Sequence, residues 1–103
     1  METIVLLHAM QWLQSEHSDI RWYATRILLA LLRKPNHRTV INRQLVKLVS
    51  NESVYIKNLI LRSISNTPGI SNDTREYIIS KCSMDSNYVV RKVCQEIQSI
   101  ANK

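Results

Sequence analysis

Apolar residues along this chain recur with the period of a helix, not the alternation of a strand. From Glu2 to Gln14 the positions Ile4, Val5, Leu7, Met10, Trp12 and Leu13 fill more than one stripe, so the first predicted helix is apolar nearly all round. Ser15 to Ser18 breaks this run and offers an N-cap for a second helix over Asp19–Arg33. Its inward positions are Ile20, Tyr23, Ala24, Ile27, Leu28, Leu31 and Leu32; Arg33 and Lys34 favour its C-terminal dipole, and Pro35 cannot continue it. Asn36 caps a third helix running to about Val49, with Val40 or Ile41, Leu45, Leu48 and Val49 inward. After the Ser50-Asn51 break, a fourth helix over about Glu52–Asn66 points Ile56, Leu59, Ile60 and Ile64 inward. Asn66-Thr67-Pro68-Gly69 is the clearest loop. A fifth helix follows Ser71-Asn72-Asp73 with Tyr77, Ile78, Ile79 and Cys82 apolar, and Asp85 or Ser86 caps a sixth that runs to Ala101.

The even-numbered helices repeat. Ile20, Ile56 and Val90 stand 36 and 34 residues apart, and each is followed at once by a cation: Arg21, Lys57, Arg91. Trp12, Leu48 and Cys82 keep the same intervals, as do Ala9, Leu45 and Ile79. Self-similarity at this spacing predicts stacked helical pairs, each burying its stripe against its neighbours. The expected architecture is all-α, one domain over 1–103 with units at about 2–34, 36–67 and 71–102.

Asp85 with Val90-Arg91 and a small residue at Cys94, and the similar Ile20-Arg21 with Ala24, resemble HEAT repeats of the HEAT/armadillo superfamily. The resemblance spans three units and implies a right-handed α-solenoid of three helix pairs. It also implies that the Asp and Arg tie successive repeats together, and that the second helix of each pair lines a concave binding surface. The middle unit departs from the pattern, with Asn51 where Asp85 stands and Lys57 in place of Arg, so its ladder contact is expected to be weaker. The tetratricopeptide family shares the period, but its Trp, Gly, Tyr and Pro signature is missing.

Composition supports this picture and narrows the chemistry. One Gly, two Pro and no Phe leave an aliphatic helical core. His8, His17 and His37 fall in different elements without HExxH spacing, and Cys82 and Cys94 make no CxxC, so no metal or other cofactor is expected. A single glycine cannot build a phosphate loop, and the eight carboxylates mostly sit at helix starts as caps and dipole partners. The expected protein is therefore not an enzyme. Both cysteines fall on apolar faces and read as buried free thiols of a cytoplasmic protein. The run Ile4 to Met10 lacks a basic flank and a cleavage pattern, so it does not read as a signal peptide, and it is too short to span a bilayer.

The net charge of +6 suits nucleic acid, an anionic surface or an acidic protein, but the 14 cations form no run longer than two. The least covered positions of the even helices lie two, five and six residues beyond Ile20, Ile56 and Val90. They define an expected partner-binding strip of Trp22, Arg26, Asn58, Leu61, Arg62, Lys92 and Gln95, with Thr25 and Glu96 beside it. Trp and Arg are the residues most enriched at binding hot spots. The function expected is non-catalytic recognition or scaffolding of a protein or peptide, with the basic charge suiting an acidic one, and with no membrane partner. Nucleic-acid binding by the basic face is the alternative. The apolar first helix, which lacks the polar outer face of a terminal repeat, points to self-association.

Overall fold

The structure, a computed structural model, describes residues 2–101. Among the described residues all regular structure is helical: α1 Glu2–Trp12, α2 Ser18–Leu31, α3 Arg38–Asn51, α4 Val54–Ser63, α5 Asn72–Ser83 and α6 Tyr88–Ala101. A 3-10 turn over Pro35–His37 precedes α3, with Pro35 at its first position, where a missing N–H costs nothing. No described helix is long and apolar enough to cross a membrane.

Several ends differ from expectation, each for a local reason. α1 stops at Trp12 because Gln14 and Ser15 close tighter turns onto Gln11 and Trp12. α2 stops at Leu31, and α4 begins at Val54 because the Ser53 hydroxyl accepts from the Ile56 amide. Ser71 caps α5 by accepting from the Thr74 amide at 3.1 Å. For α6 the cap is Asn87, whose side-chain oxygen accepts from the Val89 and Val90 amides. Asp85 instead accepts the Asn87 amide, and its other carboxylate oxygen is left for a tertiary contact.

α2 packs on α1, on α3 and on α4; α4 packs on α3, α5 and α6; α3 packs on α5, and α5 on α6. The even helices therefore follow one another in space. The smallest dimension, 16 Å, accommodates two helix layers about 8–10 Å apart. Ala24, Leu28, Leu32, Ile41, Leu45, Ile56, Ile60, Ile78, Cys82, Val90 and Cys94 form the fully buried centre of one aliphatic core. The turn from α4 to α5 needs its glycine. Gly69 has φ 93°, and a Cβ there would fall on the Leu32 carbonyl oxygen and 2.7 Å from Arg38 Nε.

The even helices keep one register. Ala24, Ile60 and Cys94 are buried, Arg21, Lys57 and Arg91 half-buried, and Arg26, Arg62 and Glu96 exposed. Ile20 departs from it: Ile56 and Val90 each lie beside a preceding even helix, whereas α2 is the first of the row, leaving Ile20 exposed. Tyr23, read as inward, is also exposed, as is Tyr77. In the odd helices Leu48 and Cys82 are buried as aligned, but Trp12 is exposed and its neighbour Leu13 is buried in its place, with Val49 buried beside Leu48. Ile78, not Ile79, is the fully buried counterpart of Ala9 and Leu45, and Ile41 rather than Val40 faces the core. The outer face of α1 carries Ile4, Val5, Leu7 and Trp12, all exposed and apolar.

Candidate functional site: the seam between α2 and α4

Charged side chains fix how α2, α4 and the start of α6 sit together. Arg21 Nε donates to both carboxylate oxygens of Glu52, at 2.9 and 3.2 Å, and Nη1 donates to the Ser15 carbonyl at 2.9 Å. Lys57 Nζ donates to Asp85 Oδ2 at 2.5 Å, with side chains only 15% and 7% exposed. Arg91 Nη1 donates to the Asp85 carbonyl at 2.6 Å. Arginine, with a forked head, serves a carbonyl six residues back and a carboxylate of the following unit together; the lysine makes only the second contact. The acid of the middle unit is thus Glu52, one residue beyond Asn51. Glu52 and Asp85 act as ion-pair partners, not as helix caps.

Burial works to raise the Asp85 carboxyl. The Lys57 hydrogen bond, the Asn87 amide and the charges of Lys57 and Arg91 outweigh it and hold the group below its ordinary value.

Two clefts meet at Trp22. The first, about 420 Å³, lies between the N-terminal ends of α2 and α4 and is lined by Ser18, Asp19, Trp22, Tyr23, Ser53 and Tyr55. The second, about 430 Å³, continues along the α2–α4 seam past Trp22, Arg26, Leu29, Ala30, Arg33, Leu59 and Ser63 to Thr67 and Pro68. Trp22 is half-buried against the core and held from two sides. The Tyr23 ring meets it edge-on at 5.2 Å, and the Arg26 guanidinium lies 5.2 Å over its face.

The carbonyl ends of both helices that line the second cleft are already answered. Arg38 donates to the Leu32 and Arg33 carbonyls at 2.9 and 3.2 Å, and Arg75 donates to the Ile64 carbonyl at 3.1 Å. The ion pairs among the described residues are Arg21–Glu52, Lys34–Glu2 and Lys57–Asp85, so Arg26 and Arg33 meet no carboxylate. No carboxylate lines the second cleft either.

Of the strip residues, the structure brings Trp22 and Arg26 together at this seam. Leu61 is fully buried, as is Thr25: the position five beyond Ile20 and Ile56 faces the next even helix, not solvent. Leu61 therefore belongs to the core. Asn58 is half-buried, with its side-chain oxygen inaccessible and without a hydrogen-bond partner. Arg62, Lys92 and Gln95 are exposed but line neither cleft at Trp22. Tyr55, Leu59 and Arg33 were missed as site residues. The one available signal was the Pro68-Gly69 turn, which brings Thr67 and Pro68 back beside the end of α2.

Cys82 and Cys94 are buried and unpaired. Burial first, then the neighbouring Cys94 and Asp85, push the Cys82 thiol up to about 11 against a smaller opposing effect of Lys57; burial also raises Cys94. Neither is poised as a nucleophile. Among the described residues no group of three or more His, Cys, Asp or Glu is placed to hold a metal ion. No protein-family model, no curated protein and no solved structure matches the chain.

Proposed function

We propose that this chain is a non-catalytic, HEAT-like right-handed α-solenoid of three helix pairs that recognises a protein partner through its second helices, at the exposed seam between α2 and α4. Two observations support the architecture. The even helices pack in sequence, and cations one turn into α2 and α4 each reach a carboxylate of the following unit. The observation that carries the function is Trp22, half-exposed at the seam between two clefts and flanked by the exposed Tyr23, Tyr55 and Arg26. Aromatic and arginine side chains presented in a concavity are what binding hot spots are made of. The buried, unpaired cysteines support a reducing compartment such as the cytoplasm. The apolar outer face of α1 supports self-association as a second contact.

Nucleic acid is the less supported partner. Arg21, Lys34 and Lys57 are spent in ion pairs, and Arg38, Arg75 and Arg91 on carbonyls. The remaining described cations are spread along the chain from Arg26 to Lys92, with no two adjacent in sequence.

The test places a photoreactive amino acid at Leu59, in the seam, or at Lys92, outside it, and irradiates in source-cell extract. A discrete adduct from position 59 that is absent from position 92, and that disappears in Arg26→Glu and Trp22→Ala backgrounds of unchanged helicity, supports the reading. Equal adducts from both positions, or adducts indifferent to both substitutions, overturn it.

A further inference from the structure

The two clefts at Trp22 are chemically unlike, and the difference specifies a ligand. The N-terminal cleft is walled by Trp22, Tyr23 and Tyr55, with two serines and one carboxylate, Asp19, which compensates the positive end of α2. The second cleft carries two guanidinium groups, Arg26 and Arg33, and no carboxylate. In most grooves at helix C-termini such cations would be absorbed by the exposed carbonyls. Here Arg38 and Arg75 already take that role, so the charge of Arg26 and Arg33 is surplus. Arg26 lies over the Trp22 ring, an arrangement that positions a guanidinium while leaving in-plane N–H groups able to donate to a carboxylate.

Resting on the protein-recognition reading above, we propose that the seam binds an extended peptide segment with a large apolar side chain at one end and carboxylates at the other. The apolar side chain enters the Trp22–Tyr23–Tyr55 cleft, and the carboxylates pair with Arg26 and Arg33. The spacing follows from the helix: at about 1.5 Å per residue Tyr23 stands about 5 Å from Arg26 and about 12 Å from Leu31, with Arg33 in the turn just beyond. An extended chain at about 3.3 Å per residue crosses the first distance in one or two residues and the second in about four. The segment therefore places one acidic residue one or two positions, and another about four or five, from its apolar anchor. A basic segment is excluded by like charge at Arg26 and Arg33.

The experiment selects a random decapeptide display library on the immobilised full chain, then measures synthetic copies of the enriched peptides by fluorescence anisotropy. Peptides should emerge with an apolar residue and acidic residues at this spacing. The Arg26→Glu/Arg33→Glu variant should weaken them at least tenfold and, when used for selection itself, should enrich lysine and arginine instead. If enriched peptides lose binding in Trp22→Ala but show no acidic excess, or tolerate the double charge reversal, this inference falls and the recognition reading stands. If no peptide is enriched, or enriched peptides bind the Trp22→Ala chain equally well, both fall.

Discussion

Replacing Lys57 with Met tests whether the contact between the second and third units holds the stack together. Met keeps an unbranched stem at this position of α4 and removes the charge, leaving the Asp85 carboxylate 7% exposed with the Asn87 amide as its remaining side-chain partner. Deleting one member of a fully buried ion pair costs about 3–5 kcal/mol, and of a surface pair about 0–1 kcal/mol. With exposures of 15% and 7% the pair lies nearer the buried limit, and the surviving Asn87 bond discounts it, so a loss of about 2–3 kcal/mol is expected at pH 7. For a domain of this size that is a fall of about 10–20 °C in melting temperature, read by circular dichroism.

The pH dependence makes the test specific. In the native chain the folded Asp85 carboxyl is held below its ordinary value, so its contribution is present above the unfolded value, about 3.9, and is lost as pH falls through the folded one. In Lys57→Met burial is no longer opposed by the lysine, so the variant loses less on acidification and the gap between the two chains narrows towards pH 3. The double variant Lys57→Met/Asp85→Asn, with no buried charge, should be more stable than the single variant at pH 7. A gap that is the same at pH 7 and pH 3 would refute the reasoning.

Leu61→Ala should cost about 2–5 kcal/mol in urea unfolding while Arg62→Ala stays within about 0.5 kcal/mol, and comparable costs would contradict the burial of position 61. Gly69→Ala should destabilise by about 1–3 kcal/mol with an unchanged urea slope, because neither the positive φ nor the contact with the Leu32 carbonyl admits a Cβ. With the Cys82 thiol at about 11, roughly one part in a thousand is thiolate at pH 8. Its alkylation by iodoacetamide should be at least a hundredfold slower in the native chain than in urea, and equal rates would show an accessible thiol. Leu7→Glu should abolish any concentration-dependent rise in light-scattering mass without altering the melting temperature, since Leu7 is 63% exposed. A rise that persists would move self-association off α1.

The even helices were legible because one period set three units: Ala24, Ile60 and Cys94 follow from counting. What counting could not supply was the lateral neighbour. A helix packed only within its own pair hides one stripe, and a row of helices hides a second, which takes in Thr25 and Leu61. Burying Thr25 is tolerable because its hydroxyl donates to the Arg21 carbonyl at 2.9 Å, a local bond that no hydropathy pattern reports. Of the two roles expected of Asp85, the tie between units is present in its pair with Lys57 and the cap is not, because a carboxylate before a helix suits either; Asn87, two residues on, took the capping role. Trp22 and Arg26 were identifiable by residue type and spacing. Tyr55 and Arg33 join them only once α2 and α4 lie side by side.

Extending the register to α6 has a last consequence. Thr25 and Leu28 of α2, and Leu61 and Ile64 in and after α4, are buried where the next even helix lies across them; in α6 the same places hold Gln95 and Gln98, both exposed. Two amides cost more to bury at those positions than the aliphatic side chains of the earlier helices, unless a partner answers their hydrogen bonds. α6 thus presents amides at these two positions, while α1 exposes hydrocarbon on its outer face. Stacking one copy on another head to tail would set the hydrocarbon of α1 against a helix that exposes these two amides together with Val89 and Ile100.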